Sequence, residues 1–154
     1  MKTRNAQAKS STVSLLEQVY QITAAEADTV RALLPKVESE DATFKSELTL
    51  WLGGCESLAT RANALLSKAG ELTLEGSLTS RMTAKVATSM NTLMDSSVGH
   101  IAALLLQYAN ATMTDAVRIL REFENTTASE AALTLARDLI QHEEAYAERM
   151  KGYL

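Results

Sequence analysis

His142 is the side chain in this sequence best placed to do chemistry. It falls on the apolar seam of the last helical segment, between Leu139 and Tyr146. An imidazole facing the inside of a helical bundle can ligate a metal or relay a proton. Its plainer role is a core histidine hydrogen-bonded to a neighbouring helix. Asp138 and Glu143 are the carboxylates near it in sequence. Glu26 is the second candidate, on an apolar row with Leu15, Val19, Ile22 and Leu33. A carboxylate there can be a ligand, or can sit at the edge of the stripe and extend to water, which is the expected arrangement. Glu56 and Asp115 each stand one position from a seam residue, Cys55 and Ala116, where charges are usually solvated or paired across helices. Cys55 reads as a small core residue, inert unless a cation lowers its pKa.

Familiar catalytic signatures are missing from the sequence. It holds no nucleophile elbow, phosphate loop, H-E-x-x-H or cysteine-pair metal motif. The 15 basic residues are scattered and the net charge is -4, so the clustered cations that bind phosphates are lacking and no nucleic-acid partner is expected. Cys55 is the only cysteine, which rules out an intrachain disulfide. No run of about 18 apolar residues suggests a membrane span, and the polar opening MKTRNAQAKSSTVS is unlike a signal peptide. The expectation is a cytoplasmic protein without a membrane partner.

The elements that must position these side chains are helices. The 154 residues suit one domain, and aromatics are only 5%, so the core must be mostly Leu, Ala, Val and Met. The first segment is predicted over 14–34, with Ser14 and Glu17 at capping-box spacing and Pro35 as its stop. The second, over 43–69, carries Phe44, Leu48, Trp51, Cys55, Leu58, Ala62 and Leu65 at spacings alternating four and three, a heptad-like seam. Gly53 and Gly54 lie inside it and point to a kink or a close helix approach. A narrower stripe, Leu78, Met82, Val86, Met90 and Leu93, predicts a crossover helix over 77–94. The remaining segments are predicted over 97–123 and 128–153, the last with Thr127 and Glu130 as a capping box. Short links around Pro35 to Asp41 and Glu124 to Thr127 make two helical hairpins. The expected fold is an all-α, antiparallel four-helix bundle in a single domain over 14–154, behind a flexible N-terminus over 1–13.

This layout resembles the ferritin-like superfamily. More narrowly, it is similar to a bacterial ferritin-like family of unknown function, about 150 residues long, in which a first hairpin is followed by a linker with Gly-Ser-Leu before an amphipathic segment. Here those residues are Gly76, Ser77 and Leu78, followed by Met82, Val86 and Met90, and the resemblance spans Leu15 to Leu154. It implies a di-iron ligand pattern of one Glu from each of two helices and Glu-x-x-His from each of the other two. Against that pattern, His142 matches a histidine but Leu139 stands at its glutamate position. Glu56 could take a glutamate role, but Ala59 stands at the partner histidine position. Glu26 could serve on the first helix, and the 97–123 segment has no Glu before Glu122 and only Asp115 near its middle. The resemblance therefore implies an incomplete or absent metal site.

The favoured function is a non-catalytic ferritin-like bundle acting through self-association or binding of a protein partner. A homodimer is expected, because the two apolar rows of the first segment could serve a core and a partner. No cofactor is demanded. The first alternative is a metal-binding protein, an oxidoreductase or metal store, using His142, Glu26, Glu56 and Asp115 to hold iron or another divalent metal. The second is a small-molecule sensor with a ligand among Trp51, Tyr108 and Tyr146.

Overall fold

The computed structural model describes residues 10–69 and 97–154. The described residues form four long α-helices and no strand: α1 (Ser11–Leu33), a short 3-10 turn (Leu34–Lys36), α2 (Ala42–Lys68), α3 (Val98–Phe123) and α4 (Glu130–Lys151). The helix expected over 77–94 and residues 1–9 of the expected flexible tail lie outside the described residues.

Three helices start on a serine whose hydroxyl takes up an otherwise free amide. Ser10 accepts from Val13 N–H at 3.1 Å, Ser97 from His100 N–H at 3.3 Å, and Ser129 from Ala132 N–H at 3.2 Å. The Ser14–Glu17 and Thr127–Glu130 boxes are thus displaced. Ser14 already donates its amide to the Ser10 carbonyl inside the first turn. The loop before α4 is occupied by Thr126, which donates to the Phe123 carbonyl and accepts from Ala128 N–H. Asp41 stands at the cap of α2 without a side-chain bond to it. Pro35 ends α1 differently from expectation. Leu34 keeps helical angles, the proline enters the first turn of the 3-10 segment where its missing N–H costs nothing, and Val37 turns extended.

The interior divides into two apolar clusters. One joins the start of α1 (Val13, Leu16), the end of α2 (Leu58, Leu66), the end of α3 (Ile119, Phe123) and the start of α4 (Leu135, Leu139). The other joins the end of α1 (Val30, Leu33), the start of α2 (Phe44, Leu48), the start of α3 (Ile101, Leu105) and the end of α4 (Ala147, Met150). The α2 seam follows the expected rhythm through Ala62 and then shifts to Leu66, leaving Leu65 half-buried. A 3.6-residue turn drifts against a strict heptad, and one extra step of four restores the inward face. Both rows of α1 are used inside the chain. Leu15, Leu16, Val19 and Tyr20 are all buried, so neither row is left bare for a partner helix.

Between the two clusters, in sequence and in register, lies a polar belt of Thr23, Glu26, Thr112 and Glu143, all buried. Thr23 resolves its hydroxyl locally, donating to the Val19 and Tyr20 carbonyls at 2.9 and 3.1 Å. The carboxylates cannot do this, and they define the site. Leu16, with no exposed surface in the apolar cluster beside the belt, should lose about 2–5 kcal/mol of stability on truncation to Ala, read as a lower urea midpoint with an unchanged slope.

Candidate metal centre

Glu26 sits one helical turn before Val30 on the inward face of α1, where a leucine would be ordinary. Its side chain has no exposed surface. Two donors from α2 converge on one oxygen: Trp51 Nε1–H donates to Oε1 at 3.1 Å and the Cys55 thiol at 2.9 Å. Trp51 and Cys55 are neighbours on the α2 seam, four residues apart, so a single helix face presents both. From α4, His142 Nε2 stands 3.5 Å from Glu26 Oε1 and 3.5 Å from Cys55 Sγ. One ligand atom from each of Glu26, Cys55 and His142 lies within 4.8 Å of the others. Three helices thus bring a carboxylate, a thiol and an imidazole to one point.

Glu143, beside His142, is also fully buried. With both groups ionised, Glu26 Oε2 and both Glu143 oxygens are sealed from solvent with no hydrogen-bond partner. Two ionised carboxylates have no donor to offer each other, and burial penalises both charges. A single proton relieves this. Burial, then the Glu26 charge and a hydrogen bond to it, push Glu143 up to about 12. Burial pulls Glu26 upward too, but hydrogen bonds from Glu143, His142 and Cys55, with the charge of His142, outweigh it and hold its carboxyl below the usual range. The pair therefore carries one proton, on Glu143, and one charge, on Glu26.

The Cys55 thiol is pushed well above its ordinary value, first by burial and then by the Glu26 charge. A nucleophilic Cys–His pair needs the opposite shift, so thiol catalysis finds no support here. A bound cation would reverse the sign of that environment, because a coordinating thiol is deprotonated outright. The spacing fits such an ion. Bonds of about 2.0–2.3 Å to S, N and O set tetrahedral ligand separations of about 3.4–3.6 Å. The S–N and N–O separations are both 3.5 Å, and the S–O separation of 2.9 Å is that of the thiol hydrogen bond, which is lost with the proton.

Gly54 makes this arrangement possible. A Cβ built there would lie 2.4 Å from His142 Cε1 and 2.9 Å from Nδ1, so the ring occupies the space a side chain would fill. The close approach expected of the glycine pair belongs to Gly54 alone, for a Cβ at exposed Gly53 would meet nothing within 4 Å. Tyr146 then covers the ring, 4.9 Å from His142 between centroids, and stacks on Trp51 at 4.9 Å with planes 13° apart. These two rings touch each other instead of flanking a ligand. Tyr108 hydrogen-bonds to Thr29, and its hydroxyl is raised, first by burial and then by the Glu26 charge.

Of the residues proposed from sequence, Glu26 and His142 meet and two others do not. Glu56 is exposed and pairs with Arg31 at 3.5 Å, and Asp115 is half-buried and lies 3.7 Å from Arg118. Each stands one residue from its seam neighbour, Glu56 after Cys55 and Asp115 before Ala116, a step of about 100° around the helix that turns it away from the seam. Glu26 corrects the expectation that it would reach to water, since both of its flanks are buried helix. Sequence reasoning passed over Glu143 and undervalued Cys55. The signal for Glu143 was present: Ala132, Ala136, Leu139, Glu143, Ala147 and Met150 are spaced four, three, four, four and three, and all are buried. Compared with protein-family models, with curated proteins and with solved structures, the chain matches none.

Gly53→Ala should stabilise the helix by up to about 1 kcal/mol, whereas Gly54→Ala must displace the imidazole and should lower the melting temperature; paired thermal unfolding separates them. The shared proton gives a pH signature. Above the ordinary carboxylate range the folded pair holds a proton that the unfolded chain has lost, so stability falls as pH rises towards the raised value of Glu143, by roughly 1.4 kcal/mol per pH unit. Glu143→Gln keeps a donor and removes that proton. Measured by urea unfolding with chelator from about pH 5 to 8, its stability relative to the parent should climb by that same slope of roughly 1.4 kcal/mol per unit.

Proposed function

We propose that this chain is a non-catalytic, ferritin-like bundle that holds one divalent transition-metal ion between Glu26, Cys55 and His142. The convergence of those three donor atoms within 4.8 Å, in an interior otherwise lined by Leu, Ala, Ile and Trp, carries the reading. The two buried carboxyls of Glu26 and Glu143 support it, because a cation offsets the charge that burial penalises. Thiolate, imidazole and carboxylate together suit a borderline ion such as zinc, cobalt or ferrous iron, and suit magnesium or calcium poorly. Tight ring packing of Trp51 and Tyr146 beside the donors favours holding an ion over turning over a substrate.

The ferritin-like part rests on helix order. The start of α1 shares a cluster with the end of α2, and the start of α3 with the end of α4, as antiparallel hairpins require. The starts of α2 and α3 share the same end of the molecule. That order supports the ferritin-like reading, in which one long connection joins two hairpins. The donor set departs from the di-iron pattern in using a thiol and in lacking both Glu-x-x-His pairs.

Titration with cobalt(II) tests the reading. One equivalent should bind with tetrahedral and thiolate-to-metal absorption bands, and zinc should displace it. Free zinc at about 100 times its dissociation constant should add about 2.7 kcal/mol of stability. Cys55→Ser and His142→Ala should each abolish the bands, while Glu56→Gln and Asp115→Asn leave them unchanged. If neither zinc nor cobalt binds at one equivalent, the buried groups are a hydrogen-bonded network and no metal centre.

A further inference from the structure

The donors differ in how they meet solvent. Glu26, Cys55 and Glu143 have no exposed surface, whereas the His142 side chain is 11% exposed. His142 is therefore the one side chain of the cluster through which the centre touches water. Its ring rests in the notch left by Gly54, and next to that notch Gly53 faces open space. On the other side Tyr146 leans on the imidazole and stacks on Trp51. Tyr146 is itself held from outside: the Arg149 guanidinium lies 5.5 Å above its ring and is tied to Glu47 on α2 at 2.7 Å. The cover is thus a stack of layers from α2 and α4, closed by a surface ion pair that water can compete for.

We propose that ions enter and leave across this α2–α4 face, with His142 as the ligand that swings open and Tyr146 as the cover that keeps it shut. The proposal rests on the metal reading above. Opening the face lifts Tyr146 from the edge of the second apolar cluster and leaves the first intact. The imidazole moves outward over the backbone of Gly53 and Gly54, where no side chain blocks it, and uncovers Cys55 Sγ behind it.

Cys55 is the chain's only cysteine, so a thiol reagent reads the opening without any metal. In chelator-treated protein, Tyr146→Ala should react with 5,5′-dithiobis(2-nitrobenzoate) about tenfold faster than the parent, since access to a buried group follows the free energy of local opening. Tyr146→Phe, which keeps the ring, should react at the parental rate. So should Leu16→Ala, which weakens the other cluster. Release of zinc to a competing chelator should accelerate in Tyr146→Ala by a similar factor, with uptake accelerated to match and the dissociation constant little changed. Equal thiol reactivity in Tyr146→Ala and parent overturns the port, even if zinc binds both. Equal acceleration in Leu16→Ala also overturns it, because Cys55 is then reached by general loosening. Faster labelling of Tyr146→Ala when neither it nor the parent binds zinc overturns the metal reading, and with it the assignment of the port to an ion.

Discussion

A single carboxylate buried at the middle of the bundle organises the structure around it. An ionised Glu26 in an apolar interior is tolerable only if donors surround it. Two other helices contribute to that end. α2 gives the Trp51 indole and the Cys55 thiol, and α4 gives His142 and the Glu143 proton. The apolar clusters on either side fix the helices closely enough that these distances can be kept. Replacing the whole belt with leucine would give a more ordinary core. Buried polar groups of this kind are weak sources of stability.

The same logic explains the local departures from a regular bundle. A glycine in the middle of α2 weakens the helix, yet at position 54 any side chain would displace the imidazole of α4 from its place. Gly53 has no such reason in the structure. Where one close helix approach is required, the interior sequence on both sides must follow it, so the Gly54–His142 contact fixes the register of α2 against α4 as firmly as the leucine layers do.

Much of this was legible in the sequence, because helix seams are written in spacing. Phe44, Leu48, Trp51, Cys55, Leu58 and Ala62 were read as one inward row and are all buried. His142 and Glu26 stood out as polar residues on such rows. Glu143 did not, because the α4 row was drawn through His142 and Tyr146, and the Ala residues that mark its true inward face carry a weak hydrophobic signal. Glu56 and Asp115 were drawn in as charges bordering the seam, and a step of one residue from it turns them towards surface arginines. The starts of α1 and α4 were misplaced by three and two residues, since several serines and threonines near each can accept the same amide and only the three-dimensional turn chooses among them. Cys55 was read as inert packing, and its meaning depends on a histidine 87 residues away.

That separation has a consequence for how the molecule comes together. α1 and α2 can pair through local contacts as soon as both exist, whereas the belt is complete only when α4 docks. Contacts so distant along the chain form late, because the entropy of closing the intervening loop must be met first. Until then Glu26 remains hydrated and charged at no penalty, and the half-assembled hairpin is left with a wet groove where its core should be. Dehydration of one acid is therefore deferred to the last step of assembly, when the helix that brings the compensating proton and imidazole arrives in the same motion.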